Sequence, residues 1–283
     1  MIGQKELLKT IDELIEDGKF PRFSVIQGED GSGKDMLVHY IKDKLHCELI
    51  EMHNSVESVR DAMKQAYSIS VPMIFYFRGA DSMSTSARNA LLKVTEEPPN
   101  HAYFILTVVN EDSLPDTIRS RASIFHMEPY TFEELKEYIE TTEKRMPFAA
   151  YTICENPGEI ELLDSAGSQE LFDFVYKVMD NIAEVSVANA FKIAESIAFK
   201  EDETDKFDLG LFWKAVIMEE CSKLADEAVD LTTEGLKAKA KIVMSTKECI
   251  DMITKTRGIN KRNVFDIWIL DVREILGEAY GSN

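Results

Sequence analysis

Residues 25–37, VIQGEDGSGKDML, place Gly28, Gly31, Gly33 and Lys34 at the spacing of a phosphate-binding loop. In that chemistry the glycines let backbone N–H groups approach phosphate oxygens, and the following helix adds about half a positive charge at its N-terminus. The lysine reaches the β and γ phosphates. The last position departs from the pattern, because Asp35 stands where a Ser or Thr hydroxyl would meet the metal. A carboxylate is a hard oxygen donor that can hold Mg²⁺, but beside a phosphate chain it adds a repulsion that a neutral hydroxyl does not. Asp is equally at home in the first turn of a helix, accepting from free N–H groups.

A second stretch tests the first. Hydrolysing phosphate-loop proteins hold their metal through an Asp at the end of another apolar strand, often with a water-activating Glu beside it. Here the run MIFYF ends in Arg78 and Gly79. A guanidinium can touch phosphate but has no lone pair for a metal. Asp81, three residues farther on, is expected to cap a helix beginning near Ser82. The expectation is a degenerate site that requires no cofactor and no metal; residual ATP or ADP binding at Lys34 stays open.

The elements that would position these residues follow from hydrophobic patterning. FSVIQ, MIFYF and AYFILTVV read as buried strands, and KDMLVHYIKDKL and SARNALLKVTEE as amphipathic helices between them. This alternation predicts an α/β domain with a parallel sheet flanked by helices, and puts the glycines between a strand and a helix. After HMEPYTFEELKEYI the strand signals stop and the chain reads as helix, with breaks at ENPGE, EDETDKFD and TRGINKRN. The resulting division is 1–140, 141–205 and 206–283, the last an all-α segment whose amphipathic helices bury only part of their apolar surface within about 75 residues.

The chain has 283 residues, 45% of them hydrophobic and 29% charged, which is ordinary for a soluble globular protein with a sizeable core. No apolar run approaches a membrane span and the first segment is a charged amphipathic helix, so a cytoplasmic location is expected. The 32 basic residues against 51 acidic ones make a net charge of −19, and residues 146–206 alone carry 4 against 13. A surface of that sign repels phosphate backbones, which argues against free-standing DNA binding. Cys47, Cys154, Cys221 and Cys249 have no metal-ligand spacing and read as buried reduced thiols.

Residues 75–135, FYFRGADSMSTSARNALLKVTEEPPNHAYFILTVVNEDSLPDTIRSRASIFHMEPYTFEEL, closely resemble the bacterial AAA+ clamp-loader subunits, the delta-prime subunit of DNA polymerase III in particular. The most specific pieces are NALLKVTEEPP, from Asn89 to Pro99, and LPDTIRSRA, which matches a Ser-Arg-Cys motif with Ala122 in place of Cys. The first helix, the phosphate loop, NPGEIELL and the late NVFDIWILDVREIL extend the resemblance over the chain. It implies an AAA+ P-loop domain, a small helical lid and a helical collar domain that packs with other subunits. It also implies a role in DNA replication as an architectural, non-hydrolysing stator. Its partners would be delta and gamma/tau-like subunits and, through the complex, the sliding clamp and primed DNA, with no membrane.

Departures from hydrolysing family members fall at Asp35, Arg78, Gly79 and Glu159, the last where a lid arginine would stand. The four-Cys zinc module of many members is missing after the phosphate-loop helix, so structural zinc is not expected. Arg121 is the retained element. The resemblance implies that it serves as an arginine finger, stabilising charge on the phosphoryl group in a neighbouring subunit's site. On its own, RSR reads more often as a solvated turn, and only the resemblance reverses that reading. Lys93 is implied as a DNA phosphate contact on a helix facing the DNA; without the resemblance it is a solvated helix residue. Phe20, Pro21 and Arg22 are assigned a structural role. Two rivals stay open: an active gamma/tau-like ATPase using Asp35 for Mg²⁺, and a scaffold protein derived from the family.

Overall fold

The computed structural model describes residues 2–142, 154–166, 168–182, 186, 209–226, 233–256 and 259–280. Two compact units are present: Met1–Tyr138 with Glu155–Gly158, and Ile139–Cys154 with Glu159–Asn283.

The first unit is built on five parallel strands: β1 (Phe23–Gln27), β2 (Glu48–Met52), β3 (Met73–Phe77), β4 (Ala102–Val108) and β5 (Ser123–His126). Their spatial order is β2-β3-β4-β1-β5. Val25 lies opposite Leu106 on one side and Ile124 on the other, so β1 sits between two neighbours and its side chains are buried on both faces. This is why FSVIQ reads as a continuous apolar run. Strand alternation sends Val25, Phe75, Phe77, Phe104 and Leu106 to one face, against helices α3 (Val56–Ala66) and α4 (Thr85–Glu96). Ile26, Ile74, Tyr76 and Ile105 face the other way, against α1 (Lys5–Glu16) and α2 (Lys34–Leu45). Phe20 stacks on Phe125 at 5.9 Å and the Arg22 guanidinium lies 4.2 Å from the Tyr103 ring centre, which gives both residues the packing role expected of them.

Two helix starts show local logic. The hydroxyls of Ser55 and Ser84 accept N–H bonds from Ser58 and Ala87, capping α3 and α4. Asp81 therefore does not cap α4. It sits in a short 3₁₀ turn, and its carboxylate accepts from the N–H groups of Val109 at 2.9 Å and Asn110 at 3.3 Å, tying the end of β3 to the end of β4. A short α5 (Asp116–Arg119) precedes β5, and α6 (Phe132–Thr141) follows it.

The second unit contains α7 (Pro157–Ala166, from Glu159 onward), α8 (Ser168–Ile182), α9 (Leu209–Asp226), α10 (Thr233–Lys255) and α11 (Lys261–Tyr280). Phe212, Trp213, Phe265 and Trp268 form its aromatic core, and the Trp268 indole donates to Thr246 Oγ1 at 2.9 Å. A buried Lys239–Glu220 pair at 3.5 Å joins α10 to α9. The boundary expected at 205–206 falls outside the described residues. Among those described, no helix is long and apolar enough to cross a membrane, and no cluster of His, Cys, Asp or Glu could hold a metal ion.

Cys47, Cys154 and Cys249 are buried and in no disulfide, and burial pushes the Cys249 thiol up to about 11. Cys221 differs from expectation: it is exposed, on the outward side of α9.

Candidate functional site

The loop between β1 and α2 turns on two glycines, with Gly31 at φ +81° and Gly33 at φ +90°. Both lie in the left-handed region that a side chain disfavours. The Lys34 ammonium turns back into the loop. It donates to the carbonyls of Gly28 at 2.5 Å and Glu29 at 2.9 Å, lies 3.7 Å from Asp30, and its side chain is 11% exposed. A second segment of the same unit closes on the loop. The Gly158 N–H donates to the Gly31 carbonyl at 3.0 Å, and a Cβ on Gly158 would fall 2.2 Å from the Gly31 Cα. A Cβ on Gly31 would meet Asn156 Oδ1 at 2.4 Å. Glycine is needed at both positions for two backbones to touch.

Asp35 lies in the first turn of α2, but its carboxylate does not cap the helix. It accepts from the Tyr76 hydroxyl and pairs with Arg78 Nη2 at 3.0 Å. The same guanidinium approaches Glu51 Oε1 at 3.5 Å. Strand geometry brings the four together: Tyr76 and Arg78 are two residues apart on β3 and its end, hence on one side, while Glu51 stands opposite Tyr76 on β2. Burial first, then the bond to Asp35, pushes the Tyr76 phenol far above its usual range and keeps it a donor. The hydrogen bond to Tyr76 pushes Arg78 further up, and the Asp35 and Glu51 charges add to that. The donor set does not fit a divalent cation, since the two carboxylates are already bridged by a guanidinium, which offers no lone pair. Gly79 gives only backbone here: its N–H donates to Thr107 Oγ1 at 3.1 Å.

The two arginines of RSR differ sharply. Arg119 is tied to Asp112 of the preceding 3₁₀ turn at 2.6 Å and to Asp116 at the start of α5, and the Asp116 bond pushes its pKa up. Arg121 donates through Nη1 to the Thr117 carbonyl at 2.8 Å and lies 3.4 Å from Glu96 at the end of α4. Its side chain is 40% exposed. Lys93, one turn before Glu96, is exposed and extends over the Tyr67 ring at 5.6 Å. Glu159, in the second unit, pairs with Lys214 at 2.8 Å.

Sequence reasoning singled out Gly28, Gly31, Gly33, Lys34 and Asp35 together, and they are adjacent. It missed Glu51, Tyr76, Glu96 and the seat of Gly158 on Gly31. Tyr76 carried a usable signal, its two-residue spacing from Arg78. Glu51 could be found only after ELIEM was recognised as a strand beside β3.

Residues 50–131 match the family model described as DNA polymerase III, delta subunit. The chain is 27% identical over 170 residues to DNA polymerase III subunit gamma of Buchnera aphidicola subsp. Schizaphis graminum, covering 49% of this chain and 47% of that protein. It is 24% identical over 204 residues to subunit tau of Escherichia coli K12, covering 61% of this chain and 31% of the other. The chain thus spans about half the length, or less, of the curated relatives it matches. A DNA polymerase III gamma subunit-related protein of Thermotoga maritima superposes with a TM-score of 0.50 at 15% identity, over 95% of this chain and 99% of that one, a likeness of fold alone. The parallel sheet with flanking helices and the helical C-terminal part are the fold shared with that protein, and over the matched stretches the chain is similar to the gamma and tau subunits of DNA polymerase III.

Proposed function

We propose that this chain is a non-hydrolysing, delta-prime-like subunit of the DNA polymerase III clamp loader, contributing Arg121 to the ATPase site of a neighbouring subunit during sliding-clamp loading. The observation that carries the reading is the Asp35–Arg78 pair, extended to Glu51: the two positions that would handle a metal are bound to each other. The Lys34 ammonium, engaged by the loop's own carbonyls, supports it.

Arg121 suits action in trans. Its guanidinium is planar and permanently charged and can contact two phosphoryl oxygens at once. Arg119 is engaged by two carboxylates, whereas Arg121 has one carboxylate at 3.4 Å and substantial exposure. The partners are delta and gamma/tau-like subunits meeting this chain through a C-terminal collar, with clamp and primed DNA reached through the assembly. Lys93 is proposed as a phosphate contact there, and 141–205 as the lid. The gamma and tau relatives favour a second reading, an active motor, which would need Arg78 to leave Asp35 before a metal could enter.

Reconstitution with the sibling subunits tests this. Arg121→Ala should fold and assemble yet lower turnover about 10³-fold at the site it serves, visible as a clear loss in total ATPase and clamp loading. Lys34→Ala in this subunit should do much less, and the isolated chain should release phosphate at background rate. An unchanged complex rate with Arg121→Ala, or steady hydrolysis by the chain alone that Lys34→Ala abolishes, would overturn the proposal.

A further inference from the structure

We infer that Glu96 is the positioning residue for Arg121, an inference that rests on the trans-acting role proposed above and names how this chain prepares that arginine. Glu96 is the last residue of α4, where the helix already presents about half a negative charge. A carboxylate placed there is opposed by its own helix and gains most from a cation. The basic group of the same helical turn, Lys93, is directed over the Tyr67 ring. Arg121, from the loop before β5, stands 3.4 Å from Glu96.

Two anchors from two elements therefore hold one guanidinium: Nη1 on the Thr117 carbonyl of α5 and Nη2 near Glu96 of α4. An exposed arginine without them samples many rotamers and must lose that freedom each time it engages a phosphate. With both anchors the plane of the fork is set beforehand, which is where preorganised electrostatic stabilisation gains its rate. The clamp is also weak enough to let go. The Glu96 side chain is 58% exposed, and an exposed carboxylate pair yields to the several negative charges of a phosphate chain. Glu96 thus orients Arg121 without holding it back. At the far end of the same 12-residue helix, about 18 Å away, lies the loop after Arg78, so changes at Glu96 leave the degenerate site untouched.

The experiment uses the reconstituted complex with Glu96→Gln, Glu96→Ala and Glu96→Lys, each alone and combined with Arg121→Ala, reading kcat and KM for ATP hydrolysis and the melting temperature of the isolated chain. Glu96→Ala is expected to lower kcat about three- to fivefold, the range a single exposed ion pair supports, with KM for ATP little changed. Glu96→Gln, which keeps an acceptor of the same shape, should recover part of the loss, and Glu96→Lys should be the poorest. In the Arg121→Ala background all three effects should vanish, which a merely structural role would not produce. If Arg121→Ala slows the complex but Glu96→Ala leaves kcat unchanged or raises it, or if the two losses multiply, the positioning role is overturned and the trans-acting role stands. If Arg121→Ala itself has no effect, both fall. A melting temperature lowered by Glu96→Gln would reassign the residue to folding and overturn the inference as well.

Discussion

At the level of single residues, the meaning of Asp35 depends on what stands two residues beyond Tyr76. With a carboxylate there, Asp35 would share a cation with it; with Arg78 there, the charges cancel internally. The pair is not a strong stabiliser, because the Asp35 side chain is 45% and the Arg78 side chain 55% exposed, and solvent screens such pairs to about 0–1 kcal/mol. A double-mutant cycle with Asp35→Asn and Arg78→Ala, read by urea denaturation, should give a coupling of about 0.5–1 kcal/mol at low salt that shrinks at high salt. A coupling of zero at low salt would mean that the two groups do not engage in solution. The Tyr76–Asp35 bond is a separate contribution and survives Arg78→Ala, so Asp35 retains one donor in that variant.

Among the elements, the glycine-rich loop between β1 and α2 is held by a segment distant in sequence. Gly31 and Gly158 approach so closely that any side chain at 158 must push backbone apart, since the nearest atom to its Cβ is the Gly31 Cα at 2.2 Å. Gly158→Ala should therefore destabilise the first unit by about 1–3 kcal/mol, measured as a lower urea midpoint by far-UV dichroism, with protease sensitivity rising near residues 155–158. An unchanged midpoint would show that the segment does not seat on the loop. This contact marks the limit of sequence reading. The loop itself was legible because five of its residues are consecutive or nearly so and follow a run whose burial is continuous. The central strands β1, β3 and β4 were legible for the same reason. The edge strands β2 and β5 were not: Glu48 and Glu51 of ELIEM, and Ser123 and His126 of SIFH, dilute the apolar signal because one side of each strand has no neighbour. With β2 unread, Glu51 had no place beside Arg78. The ion pair of Glu96 with Arg121 and the seat of Gly158 on Gly31 are set by tertiary packing, which spacing along the chain does not encode. Asp81 misled for a related reason: its position before a helix suggests a cap, while the sheet brings the Val109 and Asn110 N–H groups closer to it.

For the molecule as a whole, charge decides what the chain can do by itself. The net charge is −19, and the basic groups that a functional reading singles out in the first unit are already engaged: Lys34 with loop carbonyls, Arg78 with Asp35 and Glu51, Arg119 with Asp112 and Asp116, Arg121 with Glu96. Affinity for duplex DNA comes largely from releasing counterions through unpaired Lys and Arg, and each internal pair removes one such group from that tally. Lys93, over the Tyr67 ring, keeps its charge available, but one cation against a strongly negative surface cannot steer a polyanion. The isolated chain should accordingly bind duplex DNA no better than about 10⁻⁴ M at physiological salt, in a mobility-shift titration, and Lys93→Glu should leave that result unchanged. If the chain assembles as proposed above, any DNA contact by Lys93 would emerge only in that complex, and the same substitution should weaken its binding of primed DNA. Micromolar or tighter binding by the chain alone would contradict this. It would mean that a basic surface elsewhere in the chain outweighs the acidic excess.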